Sequence, residues 1–113
     1  MLADARARIV RYTPEEAATD HDLLLVDLRS VDERERAGVI PGSKHVAYSV
    51  LPWRADQTSE WRDEELAGRR LCLVCTHGES SSLAAASLVD LGIDAGDLIG
   101  GYEGWLESGL PTE

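Results

Sequence analysis

Cys75 is the residue of this chain best placed to do chemistry. It follows the apolar run Leu71-Cys72-Leu73-Val74 and opens the stretch Cys75-Thr76-His77-Gly78-Glu79-Ser80-Ser81-Ser82, with a glycine three residues after the sulfur. A strand that ends in a tight polar loop and then a helix N-terminus surrounds one thiol with unpaired backbone N–H groups. A free thiol titrates at about 8.5, so little of it is thiolate at neutral pH. The helix N-terminus offers about half a positive charge, and a nest of loop amides from Thr76 to Ser81 adds to it. Gly78 supplies the positive φ that such a curl requires. The hydroxyls of Ser80, Ser81 and Ser82 are suited to cap the helix or to donate to an oxyanion. Two readings of Cys75 stand at this point: an activated nucleophile, or a small buried hydrophobe at a strand end.

The other reactive side chains carry weaker signals. Cys72 lies three residues upstream on the same strand, so it faces away from Cys75 and belongs to the core. The C-x-x-C spacing resembles a zinc or redox pair, but no second ligand pair follows and a strand cannot readily close such a disulfide. No metal site is expected. His77 is a candidate general acid or base, or a solvated loop residue. Glu79 has the wrong sign to hold an anion. Asp27 and Arg29 sit at the carboxyl end of another apolar run, and they read better as a structural pair between loops than as substrate ligands. His45 reads as a satisfied edge residue, and His21 carries no signal.

The elements around these residues follow from hydrophobic pattern and capping. Short apolar runs alternate with helix-like segments, the pattern of a parallel α/β sheet. Strands are predicted at 8–11, 23–28, 45–47, 71–75 and 97–99. Thr13-Pro14-Glu15-Glu16 is a capping box with proline at the first helical position, which starts a helix over 14–19. Ser30-Val31-Asp32-Glu33 is a second box, opening a helix that Gly38 stops. Short helices are expected around 50–54 and 60–66, and a longer one from about Ser81 to Leu91. That helix has Leu83, Ala84, Leu88 and Leu91 on one side and Gly92 after it. A last helix spans Tyr102 to Ser108. The resulting fold is a central parallel sheet of about five strands with helices on both faces, in one domain over 1–113. Ligands of such sheets bind beyond the carboxyl ends of the strands, where Cys75 lies.

Composition sets the boundaries of function. The chain has 113 residues, 43% hydrophobic and 28% charged, with a formal net charge of −10. That charge argues against nucleic acid, which demands basic patches. No apolar stretch approaches the roughly 20 residues of a membrane span. The charged opening Met1-Leu2-Ala3-Asp4-Ala5-Arg6 lacks the apolar core of a signal peptide, so a cytoplasmic setting with reduced cysteines is expected.

Four stretches in order carry a family likeness. They are Val26-Asp27-Leu28-Arg29, the run Gly38-Val39-Ile40-Pro41-Gly42-Ser43-Lys44-His45-Val46, the Cys75 loop, and Gly100-Gly101-Tyr102-Glu103-Gly104-Trp105 with Gly109-Leu110-Pro111 behind it. The chain resembles a single-domain rhodanese, a sulfurtransferase domain, over essentially its whole length. The resemblance implies that Cys75 carries sulfur as a persulfide held by the amides of Thr76, His77, Gly78, Glu79, Ser80 and Ser81. A small sulfane-sulfur donor such as thiosulfate would load it. A thiophilic acceptor, a small molecule or a protein, would unload it without any cofactor. Many relatives carry arginine where this chain has Ser80, and histidine where it has Val39. Arg54, beside Trp53 at the expected pocket rim, is the candidate for the missing charge. The cysteine phosphatases of this fold end a longer loop in arginine, and the matching residue here is Ser81. The alternative to an enzyme is a non-catalytic module that binds, senses or delivers persulfide.

Overall fold

Continuous apolar runs become the middle of the sheet. The computed structural model describes residues 1–113. Its strands are β1 (Val10–Tyr12), β2 (Leu23–Asp27), β3 (Lys44–His45), β4 (Arg70–Val74) and β5 (Ala95–Leu98). They form one parallel sheet in the order β1-β5-β4-β2-β3. β4 and β2 pair in register from Leu23 opposite Arg70 to Asp27 opposite Val74. Helices α1 (Leu2–Ala7), α2 (Pro14–Thr19), α3 (Val31–Ala37), α4 (Leu51–Ala55), α5 (Ser80–Asp90) and α6 (Gly101–Glu107) connect and cover them.

The two faces of β4 separate the core into two layers, because successive side chains of a strand point oppositely. Leu71 and Leu73 pack with Val26, Leu51, Ala85 and Leu88, under α4 and α5. Cys72 and Val74 pack with Ala17, Leu98, Tyr102 and Trp105, under α2 and α6. The fold is therefore the predicted α/β sheet with helices on both faces. Both predicted N-caps form: Thr13 and Glu16 exchange the reciprocal bonds of a capping box, and Ser30 accepts from the Glu33 amide.

Four expectations are corrected. α1 was not anticipated; its six residues carry a single buried side chain, Ala5, and the helix rests on α5 rather than on the sheet. The first strand starts two residues later than 8–11 and ends one later, with Tyr12 buried and Val10 exposed. No helix forms over 60–66. There Ser59 Oγ accepts from Trp61 N and Asp63 Oδ1 from Glu65 N, local bonds that compete with helical ones. Finally, α5 buries a different face from the one expected. Ser81, Ser82, Ala84, Ala85, Ala86 and Leu88 point inward, while Leu91 is exposed.

Candidate active site

The strand order reverses between β2 and β4, whose following helices lead to opposite edges of the sheet. A crevice opens at such a switch point beyond the strand ends. Here it is a cavity of about 330 Å³. Cys75 and Thr76 lie at its base, Leu28, Arg29, Glu33 and Tyr48 at its sides, and His77, Glu79 and Ser80 along the loop. β4 ends at Val74, one residue earlier than expected, so Cys75 already belongs to the loop.

The loop is curled around the sulfur. Gly78 N donates to Cys75 Sγ at 3.1 Å and Ser81 N at 3.4 Å. Gly78 has φ +92°, the left-handed geometry its position demanded. The amides of Thr76, His77, Glu79 and Ser80 donate to no group of the protein. Four unclaimed N–H groups thus belong to residues that line the same cavity as Cys75, at the amino end of α5, a setting that favours an anion.

The far side of the loop is held firmly. At the start of α6, Tyr102 N donates to Cys75 O at 2.8 Å and Glu103 N to Thr76 O at 3.1 Å. Gly101, at φ +62°, allows this approach; a Cβ there would stand 2.4 Å from Cys75 O. Arg6 of α1 reaches in from another direction, donating Nε to Ser82 Oγ at 3.1 Å and Nη2 to Gly78 O at 3.0 Å.

Beneath the loop lies Asp97, fully buried in β5. Its Oδ1 accepts from Arg11 Nε at 2.8 Å. Its Oδ2 accepts from Ser81 Oγ at 3.0 Å and Ser82 Oγ at 2.6 Å. Ser81 Oγ is also 3.3 Å from Cys75 Sγ, with the thiol as donor. Sequence pattern missed Asp97, Arg6 and the cavity residues Glu33 and Tyr48. One signal for Asp97 was present: a carboxylate inside the apolar stretch that forms an interior strand.

Asp27 and Arg29 form a buried ion pair at the cavity side, Nη2 to Oδ2 at 2.8 Å. Arg29 also donates to Gly38 O at 2.8 Å and lies 3.8 Å over the Tyr102 ring. Its backbone carbonyl meets His45 Nε2 at 2.8 Å, the edge role foreseen for that histidine. The guanidinium is thus committed to the protein. Glu33 hydrogen-bonds Thr76 Oγ1, chiefly through which its carboxyl is held below the usual glutamate range. His77 Nδ1 meets Glu103 Oε2 at 2.9 Å in solvent. Burial, and then the charge of Asp97, push the Cys72 thiol up, as suits an inert core cysteine. Trp53 and Arg54 do not line the Cys75 cavity. They line a neighbouring one of about 430 Å³ with Val50 and Trp61, and Arg54 Nη1 points to Trp61 O.

The thiol thus follows the central strand of a five-stranded parallel sheet and sits in a curl of backbone amides, in a small α/β domain whose one partly exposed cysteine lies at the switch point. Residues 13–108 match the rhodanese-like domain family, and the chain belongs to it. A Rhodopseudomonas palustris protein of unknown function, described as a possible tyrosine phosphatase, is 28% identical with a TM-score of 0.90, covering 99% of this chain and 90% of its own. The polysulfide-sulfur transferase of Wolinella succinogenes is 26% identical with a TM-score of 0.71, covering 99% and 83%. A thiosulfate sulfurtransferase from Pseudomonas aeruginosa shares the fold at 24% identity and a TM-score of 0.73, covering 93% of this chain but 19% of its own. No helix here is long and apolar enough to cross a membrane.

Proposed function

We propose that this protein is a sulfurtransferase in which Cys75 carries sulfane sulfur as a persulfide. The observation that carries the reading is the set of four unclaimed amides on residues lining the cavity of a sulfur already bonded by two others. In the first half-reaction the Cys75 thiolate attacks the outer sulfur of the donor. An S–S bond forms to Cys75, the donor's own bond to that sulfur breaks, and the leaving group departs with the electron pair. The charge now sits on the new outer sulfur, where the free N–H groups of Thr76, His77, Glu79 and Ser80 are available to hold it. In the second half-reaction a nucleophilic acceptor takes that sulfur and returns the thiolate.

The cavity also bears on the donor. Arg29 is neutralised by Asp27, His77 is paired with Glu103, and Glu33 and Glu79 add negative charge. No free cation faces the sulfur, so a dianion such as thiosulfate is a poor fit. A low-molecular-weight organic persulfide, with a single charge on its sulfurs, fits the charge of the cavity better, and the similarity to the Wolinella transferase makes polysulfide the other donor to test. Phosphatase chemistry, suggested by the description of the Rhodopseudomonas protein, needs a guanidinium fork at the loop end. Ser81 stands there instead, turned toward Asp97.

The test is the intact mass of the reduced protein after incubation with an organic persulfide, polysulfide or thiosulfate, then after cyanide. A gain of one sulfur atom, removed by cyanide and absent in Cys75→Ser, is expected, with thiosulfate the slowest donor. If none of these donors adds sulfur, the better account is a module that delivers persulfide received from a partner protein.

A further inference from the structure

The buried carboxylate under the loop has a role that the sulfur-carrier reading does not require. A carboxylate is acceptor-only, and a serine hydroxyl has one proton to give. Ser81 Oγ stands between two acceptors, Asp97 Oδ2 at 3.0 Å and Cys75 Sγ at 3.3 Å. Its proton goes to the carboxylate, which leaves Oγ to accept from the thiol. We propose that Asp97 is a positioning residue for Cys75: it draws the Ser81 proton away from the sulfur, and so decides whether Ser81 accepts from the thiol or donates to the sulfur anion.

The geometry makes this arrangement reversible. Asp97 keeps other donors without Ser81, since both Arg11 nitrogens reach it and Ser82 Oγ, whose one proton is shared with Gly78 O at 2.9 Å, stands 2.6 Å away. Loss of Ser81 leaves the carboxylate bonded and paired. Ser81 can therefore rotate to Sγ once the thiol has lost its proton to solvent, and no covalent bond changes in that rotation. With the carboxylate in place, a hydroxyl that turns to sulfur gives up one anion for another and gains little. Asp97 thereby restrains ionisation of the thiol. In return, a thiol that is less acidic is the stronger nucleophile once ionised.

Other charges face the same sulfur and are held constant by the comparison below. Arg29 and Glu33 approach from the end of β2 and from α3, and Glu79 lies in the loop. His77 is paired with Glu103 of α6. Arg6 of α1 binds Gly78 O, and Arg11 of β1 binds Asp97. Cys72, on the opposite face of β4, is neutral and buried. Only Asp97 touches Ser81.

The inference rests on Cys75 as the reactive thiol but not on the identity of a sulfur donor. The experiment therefore uses alkylation of the full-length reduced protein by iodoacetamide across pH, which reads the thiol whether or not persulfide ever forms. In Asp97→Asn the amide nitrogen can donate to Ser81 Oγ, which sends the hydroxyl proton to sulfur. Alkylation at pH 7 should rise about threefold to tenfold and the midpoint of the profile should fall. Ser81→Ala alone should raise the rate by about twofold, because it removes the oxygen that accepts from the thiol while its own proton is given to Asp97. Adding Ser81→Ala to Asp97→Asn should abolish most of the rise. A rise of equal size with and without Ser81 would overturn the proposal, leaving only the charge of Asp97 at a distance. Should Asp97→Asn fail to fold, Asp97→Ala is expected to raise the rate in the same way. Ser81→Ala is decisive by itself: a tenfold fall would mean that Ser81 already donates to sulfur beside an intact Asp97.

Discussion

Two buried aspartates at the site illustrate two uses of the same side chain. Asp27 closes β2 and Asp97 lies in β5, and both are almost wholly hidden from water. Asp27 is matched by Arg29, whose own side chain is only 2% exposed, and by Arg34 at 3.2 Å. Neither member of the inner pair can find water if the other is removed. Asp97 is matched by Arg11, whose side chain is 21% exposed at the sheet edge, and by two serines of the sulfur-bearing segment. One aspartate fixes a wall and the other is linked to the thiol. The lesson is that burial alone does not distinguish an architectural carboxylate from one tied to chemistry; the identity and mobility of its partners do.

The largest effect expected from breaking this contrast is on folding. Asp27→Asn should cost about 3–5 kcal/mol in urea denaturation, because it strands a buried guanidinium. A loss below about 1 kcal/mol would remove Asp27 from its anchoring role. Gly101→Ala comes next, at about 2–4 kcal/mol, since it adds a left-handed strain and drives a methyl into the Cys75 carbonyl. It should also displace the loop, so iodoacetamide kinetics at Cys75 should change with it; unchanged kinetics would mean that the loop keeps its shape without this contact. Asp97→Asn should lower stability by only about 1–2 kcal/mol, because Arg11 can turn to solvent and the serines keep a polar neighbour. If it destabilises as strongly as Asp27→Asn, the distinction between the two aspartates fails.

The smallest effect concerns Glu33. Its carboxyl is held below its ordinary 4.5, first of all by the Thr76 hydroxyl. A group with a depressed folded value stabilises above its unfolded value and loses that contribution as pH falls through the folded one. Glu33→Gln should therefore cost a few tenths of a kcal/mol, about 0.5 at most, at pH 7, and should flatten the acid limb of a stability profile below about pH 4.5. An unchanged acid limb would show that the Glu33–Thr76 bond adds nothing to the loop.

Much of this arrangement was legible in the amino-acid sequence, and what escaped did so for physical reasons. The capping box at Thr13, the serine cap at Ser30, the apolar run 23–28 and the strand–cysteine–glycine–helix order all act over a few residues, and each forms, although Glu33 does not return the second bond of a box to the Ser30 amide. The Asp27–Arg29 pair is also local, two residues apart, and the two side chains meet at 2.8 Å. Asp97, Arg6 and Arg11 approach the loop across separations that no periodicity records. Expectation failed at 60–66 because side-chain bonds to nearby amides competed with helical ones. Arg54 and Trp53 are expected at the rim from their place in the chain, but α4 sets them in a separate cavity, with Arg54 Nη1 toward Trp61 O.

The inward face of α5 is lined by small side chains, with Ala84, Ala85 and Ala86 nearly or fully buried. Small residues let a helix axis sit close to the sheet beneath it, and a packed interior moves as a body when one of them grows. The first turn of that helix is also the last part of the ring of amides around Cys75. The shape of that ring is therefore set partly from below, by side-chain volume in a layer that does not line the cavity. Exchanging one of these alanines for glycine or valine would reshape the ring while leaving every residue that lines the cavity unchanged.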